Sequence, residues 1–115
     1  MPTILIVDDH ASFRAVARAA LSDRFTVVAD ARDAAQGVAL ARQLQPDVVL
    51  LDVQLPDLDG FAVAAALAAE DHPPVVVLTS SHGRGDLEPL LQQSSAHGFI
   101  EKEHLSADAL AGLLV

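Results

Sequence analysis

The chain has 115 residues, 51% of them hydrophobic and 20% charged, and no cysteine. That is enough apolar material for one buried core, and it excludes a disordered tail, a disulfide scaffold and a thiolate metal site. Sixteen acidic against seven basic residues leave a formal charge of −9, which repels phosphate backbones and anionic lipid, so no direct nucleic-acid or membrane binding is expected. No apolar run reaches the roughly 18 residues of a membrane span, and Met1-Pro2-Thr3 lacks the basic region of a signal peptide, so a soluble cytoplasmic protein is expected.

The first element is an apolar run, Ile4 to Val7, ending in Asp8-Asp9. It reads as a buried strand that delivers acids to one sheet edge. Phe13, Val16, Ala17, Ala20 and Leu21 then share one helical face, with Arg14 and Arg18 turned away. Phe25 to Ala29 is a second short strand. Asp33 starts a helix with a capping pair, since Gln36 stands at its third position. Gly37, Leu40, Ala41 and Leu44 form that helix's buried stripe, the glycine fitting close packing against the sheet.

The central stretch is PDVVLLDVQLPDLDG, residues 46–60. Val48 to Leu51 is a strand apolar on both faces, and it ends in a lone carboxylate, Asp52. In open α/β sheets ligands bind at the carboxyl ends of strands, so Asp52 stands where chemistry is expected. Asp57 and Asp59 read as loop and helix-cap residues before a helix from Phe61 to Ala69. The stretch 57–60 lacks the later Glu of a calcium loop.

Val75 to Leu78 is a fourth strand and hands over to Thr79-Ser80-Ser81. His82 to Gly85 is a loop, and Asp86 caps a short helix through about Gln93, with Pro89 accommodated near its start. Leu87, Leu90 and Leu91 form its buried stripe or, in part, a partner surface. Gly98-Phe99-Ile100 is the last strand, followed by Glu101-Lys102. Ser106 caps a short closing helix, with Leu105 and Leu110 spaced as a hydrophobic staple. Five strand–helix units with short connections imply one domain, residues 1–115, of the α/β class with a doubly wound parallel sheet.

Asp8, Asp9, Asp52, Thr79 and Lys102 thus converge at the ends of four strands. Carboxylates about 4 Å apart repel by about 4 kcal/mol per pair at an effective dielectric of 20, so a cation must compensate. Clustered carboxylates favour a hard ion, and Mg²⁺ is the natural candidate. With an ammonium and a hydroxyl added, the set is equipped for phosphoryl transfer to a carboxylate nucleophile.

The chain resembles the receiver domains of two-component response regulators, through IVDDH (6–10), the stretch 46–60, PVVVLTS (74–80) and GFIEK (98–102), in order and along essentially the whole length. The resemblance implies the flavodoxin-like receiver fold with strand order 2-1-3-4-5. It also implies transfer of a phosphoryl group from a sensor histidine kinase or phosphotransfer protein to an aspartate. By position Asp52 is the phosphoacceptor. Asp9 and Asp52 would bind Mg²⁺ directly, Asp8 partly through water, and Gln54 through its backbone carbonyl. Thr79 would be the switch hydroxyl, Phe99 the aromatic that follows it, and Lys102 the ammonium pairing with acceptor and phosphate. The chain would then be no enzyme beyond its own phosphorylation and dephosphorylation. Its output would be altered binding of a downstream protein, with a homodimer on phosphorylation left open, as is a longer chain carrying an effector. Departures from the family pattern are Glu103 in place of a proline after the lysine, and the pair Gln54 and Ser81, which leaves the lifetime of the phosphorylated state open.

Blander readings stand beside these. Asp8-Asp9 alone could be a solvated turn, the single lysine could be chance, Phe99 could be only a core aromatic, and the five histidines read as surface or loop residues. The functional alternatives are a receiver-like binding module that works without phosphorylation and an aspartyl-nucleophile phosphatase. The latter would need an acid where Gln54 stands.

Overall fold

A computed structural model of the chain describes residues 1–81 and 84–114. Five strands, β1 (Thr3–Val7), β2 (Thr26–Ala31), β3 (Val48–Asp52), β4 (Val75–Ser80) and β5 (Gly98–Glu101), alternate with α1 (Ala11–Leu21), α2 (Ala34–Leu44), α3 (Gly60–Ala68), α4 (Arg84–Gln93) and α5 (Ala107–Leu113). A short 3₁₀ turn, Lys102–His104, joins β5 to α5. The five strands pair in parallel in the order β2-β1-β3-β4-β5, the doubly wound sheet that the alternation of elements predicts.

Strand periodicity divides the core in two. Leu5, Val7, Val49, Leu51, Val76, Leu78 and Phe99 face one side and pack with α2, α3 and α4. Ile4, Ile6, Val48, Leu50, Val77 and Ile100 face the other and pack with Ala17 and Leu21 of α1 and Leu110 of α5. Successive side chains of a strand point to opposite faces, so continuous apolar runs serve two helical layers at once. β3, at the centre, is buried along its whole length.

The caps follow the sequence. Asp33 accepts from the Gln36 N–H, Asp59 from the Ala62 N–H and Ser106 from the Ala109 N–H. Leu105 and Leu110 both join the second core layer, as a staple requires. At Gly37 an added Cβ would stand 2.9 Å from Val7 Cγ1, so this helix does ride close on the sheet.

Several boundaries differ from the sequence reading. β2 begins at Thr26 because the Phe25 N–H closes a turn onto the Leu21 carbonyl, and it runs on to Ala31, pairing Asp30 and Ala31 with Ile6 and Val7. β4 extends through Thr79 and Ser80, which pair with Ile100 and Glu101. α4 starts at Arg84, so Asp86 lies inside the helix rather than capping it, and Pro89 falls past the first turn. His82 and Gly83, the start of the expected loop, lie outside the described residues. Val16 is 63% exposed and Leu44 41% exposed, whereas Arg14 is largely covered. α1 is rotated toward its Arg14 side, which leaves Val16 at the outer margin of the apolar stripe. Leu44, in the last turn of α2, lies beyond the sheet's cover. In α4, Leu87 and Leu91 pack on the core and Leu90 stays exposed.

Gly60 opens α3 directly against the end of β3. A Cβ there would collide with the Asp52 carbonyl and lie 2.8 Å from Val53 Cα, both backbone atoms that cannot swing aside. Gly60→Ala is therefore expected to lower unfolding free energy by about 3 kcal/mol or more, measured by urea denaturation.

Candidate functional site

The strands deliver their terminal residues to one edge. Val7 pairs with Leu51, so Asp8 emerges beside Asp52, while Asp52 itself pairs with Thr79 on β4. Asp8 and Thr79 are fully buried and Asp52 is 4% exposed; Asp9 is exposed. Lys102, at the end of β5, reaches back over the edge. Its Nζ lies 3.1 Å from Asp52 Oδ2, to which it donates a hydrogen bond, and 2.6 Å from Asp8 Oδ2. The Phe13 ring of α1 lies under the ammonium, 4.6 Å from Nζ to centroid, and adds a cation–π contact.

The remaining carboxylate oxygens are held by backbone. The Gln54 N–H donates to Asp52 Oδ1 at 3.0 Å, and the His10 N–H donates to Asp8 Oδ1 at 2.8 Å. Asp8 Oδ2 is different: it is buried, touches the Lys102 ammonium, and yet receives no aligned hydrogen bond. Its compensation is therefore the Lys102 ion pair rather than an aligned hydrogen bond.

Charge is shared unequally. Burial pushes the Asp52 carboxyl up; the Gln54 N–H and the Lys102 ammonium oppose this, the Asp8 charge adds to it, and the result lies above the ordinary carboxylate value. Burial also pushes Asp8 up, but the Lys102 ammonium and the His10 N–H outweigh it, and Asp8 ends below. Burial lowers Lys102, but the two carboxylates more than compensate and hold it charged. Asp52 is the carboxylate with the less complete compensation.

The structure thus brings Asp8, Asp9, Asp52, Thr79 and Lys102 to one edge. Gln54 follows Asp52 in the loop, where it forms an isolated bridge with Asp59. Phe99 sits on β5 beside Leu78 of β4, 7% exposed, in the core layer that faces α2, α3 and α4. Asp8, Asp9, His10 and Asp52 each offer a ligand atom within 4.8 Å of the others, so the cluster could hold a metal ion.

Three contributors were not evident from the sequence. His10, read as a surface residue, is exposed but turns Nδ1 to within 3.1 Å of both Asp8 Oδ1 and Asp9 Oδ1. Arg14, read as turned away, donates to the Asp8 backbone carbonyl at 2.7 Å and lies 3.4 Å from Asp30, steadying the acidic turn. Asp57 accepts from the Ala34 and Ala35 N–H groups, helping to cap α2, a helix that begins 23 residues earlier, and so ties the loop after Asp52 to that helix. These N–H groups hold its carboxyl below the ordinary value. Adjacency to Asp8-Asp9 is the one signal that could have marked His10; the partners of Arg14 and Asp57 are set by the fold.

Comparison with known proteins settles the family. The response regulator receiver domain family matches residues 4–113. This chain belongs to that family. The signal receiver domain of NarL from Mycobacterium tuberculosis superposes with a TM-score of 0.85 at 34% identity, covering 98% of this chain and 93% of that one. In sequence, the "Probable transcriptional regulatory protein NarL" of Mycobacterium tuberculosis H37Rv is 35% identical over 113 residues, 96% of this chain and 52% of its own length. A protein-glutamate methylesterase/protein-glutamine glutaminase of Anaeromyxobacter dehalogenans is 42% identical over 91 residues, 77% of this chain and 26% of its own. The chain spans about half or less of the length of these curated relatives. The receiver fold and membership of the two-component response regulators follow; among the described residues no helix is long and apolar enough to cross a membrane.

Two outcomes test the site's energetics. Asp57→Ala should lower stability by leaving the Ala34 and Ala35 N–H groups at the start of α2 without their acceptor, read as a lower urea midpoint. For Asp52, a native pKa above the unfolded value means that ionisation costs stability, the cost growing as pH rises from the ordinary carboxylate range through the raised native value. In metal-free buffer at neutral pH, Asp52→Asn should therefore melt above wild type. The two midpoints should converge as pH falls toward about 4, which calorimetry across pH would show.

Proposed function

We propose that residues 1–115 form one phosphoacceptor domain, which takes a phosphoryl group from a sensor histidine kinase or phosphotransfer protein onto Asp52 in a Mg²⁺-dependent reaction. The observation that carries this reading is the setting of Asp52. It is a buried carboxylate at the end of the central strand, with one oxygen held by the Gln54 N–H, the other by the chain's single lysine, and Thr79 paired beside it.

The donor set fits Mg²⁺. It consists of carboxylates, one of them with a buried oxygen lacking an aligned hydrogen bond, and Mg²⁺ takes one or two carboxylates together with water and phosphate oxygens. Asp9 and Asp52 would hold the ion directly, Asp8 partly through water, and Gln54 through its carbonyl. When bound, the ion supplies positive charge to the phosphoryl oxygens.

An Asp52 carboxylate oxygen bonds to phosphorus as the bond to the donor's ring nitrogen breaks and that nitrogen takes up a proton. Lys102 remains charged beside both carboxylates and neutralises charge gained at the acceptor. Buried Asp52, imperfectly compensated, gains most from the added cation. The Thr79 hydroxyl then donates to a phosphoryl oxygen, and its turn frees space that Phe99 follows. The face formed by α4, β5 and α5 changes its affinity for a downstream protein. Phosphorylation acts as a covalent ligand that biases two states.

Intact-mass measurement after incubation with acetyl phosphate tests this, with and without Mg²⁺, on wild type and Asp52→Asn. A single phosphate adduct that needs Mg²⁺ and is absent from the variant is expected. No adduct at quench times short enough to precede hydrolysis, or an equal adduct on Asp52→Asn, would overturn the reading.

A further inference from the structure

We propose that His10 is an additional ligand of the cation site, so that this receiver favours imidazole-seeking divalent ions such as Ni²⁺ and Co²⁺ over Mg²⁺ more than its carboxylates alone would allow. The inference rests on the acidic cluster being a cation site.

The geometry points there from three sides. His10 Nδ1 lies 3.1 Å from Asp8 Oδ1 and 3.1 Å from Asp9 Oδ1. In an octahedron with bonds of about 2.1 Å, adjacent ligand atoms are about 3.0 Å apart, so the nitrogen already stands at the spacing of a neighbouring ligand, or of a water-bridged one, from each oxygen. The set closes with Asp52, since ligand atoms from all four residues lie within 4.8 Å of one another, room for opposite corners as well as adjacent ones. Nδ1 also faces Asp8 Oδ1 in hydrogen-bonding geometry, so the ring nitrogen is aimed into the cluster rather than at solvent.

Local backbone explains why the imidazole is held there. His10 precedes the first helical residue of α1 in an extended conformation, and its own N–H is bound to Asp8 Oδ1. Its side chain makes no capping bond to α1 and is free to turn back over the acidic turn. The remainder of the ring is open, with 65% of the side chain exposed, so a ligand exchange at Nδ1 needs no movement of the core.

The chemistry sets the direction. Mg²⁺ prefers oxygen and gives up water reluctantly, so it gains little from an imidazole, whereas Co²⁺ and Ni²⁺ gain much more. A nitrogen donor added to an oxygen cluster therefore changes selectivity, and a water can stand in its place when Mg²⁺ is bound.

Isothermal titration of the whole chain with Ni²⁺ and with Mg²⁺ tests the proposal, on wild type, His10→Gln, Asp9→Asn and His104→Gln. The last variant controls for the separate cluster of Glu101, Glu103 and His104. His10→Gln should lower the ratio of Ni²⁺ to Mg²⁺ affinity tenfold or more with an unchanged melting midpoint, and His104→Gln should leave the ratio within about twofold. Nitrogen coupling in the electron-spin-echo spectrum of a Cu²⁺-loaded sample should fall in His10→Gln. If Asp9→Asn weakens both ions while His10→Gln leaves the ratio unchanged, the His10 inference is overturned and the phosphoacceptor reading stands. If Asp9→Asn weakens neither ion, both fall.

Discussion

One ammonium connects the two carboxylates on which the active edge depends. Lys102 contacts Asp8 from β1 and Asp52 from β3 while sitting just past β5, so a single side chain bridges three of the five strand ends. The strand order makes this reach necessary: β4 separates β5 from β3, and the lysine must span the Thr79 position. Two carboxylates share one ammonium, and the shorter contact goes to Asp8. The site is therefore left with net negative charge in a covered setting, centred on Asp52, the less completely compensated carboxylate. Burial of such a group weakens the resting state and makes a further positive charge favourable there.

Backbone devices hold this charge in place. Gly60 lets α3 start against the Asp52 carbonyl, and Asp57 fastens the intervening loop to the start of α2. Arg14 grips the Asp8 carbonyl from the opposite helical layer. Each anchor comes from a different element, so the acidic turn after β1 and the loop after β3 are fixed from both faces of the sheet. A site that gathers buried carboxylates needs such a frame, since its own interior is electrostatically repulsive.

The fold could be read from the sequence because its signals are short-ranged. Ile4–Val7 and Val48–Leu51 are apolar runs that only a sheet covered on both faces accommodates, and Asp33, Asp59 and Ser106 announce their helices from one position before them. The convergence of Asp8, Asp52 and Lys102 was also visible, since each ends a strand of a parallel sheet. What escaped depends on partners distant in sequence or on a helix's rotation. Asp57 looks like a loop residue until α2 is placed beside it, and Arg14 and Val16 exchange exposure because α1 turns by part of a residue's arc. The continuation of β4 through Thr79 and Ser80 is set by pairing with β5, which no local pattern encodes.

Lys102 is the only lysine in the sequence, and six arginines carry the remaining fixed positive charge. The consequence reaches beyond the acidic site itself. Apart from the amino terminus, this chain offers amine-directed reagents a single nucleophile, and it is a charged one, 14% exposed between two carboxylates. Acylating agents, aldehydes and surface-coupling chemistries therefore meet a protein whose outer face is almost inert to them. Any that do reach a side-chain amine strike the centre of the site, so the extent of lysine acylation becomes a direct gauge of how often that ion group opens.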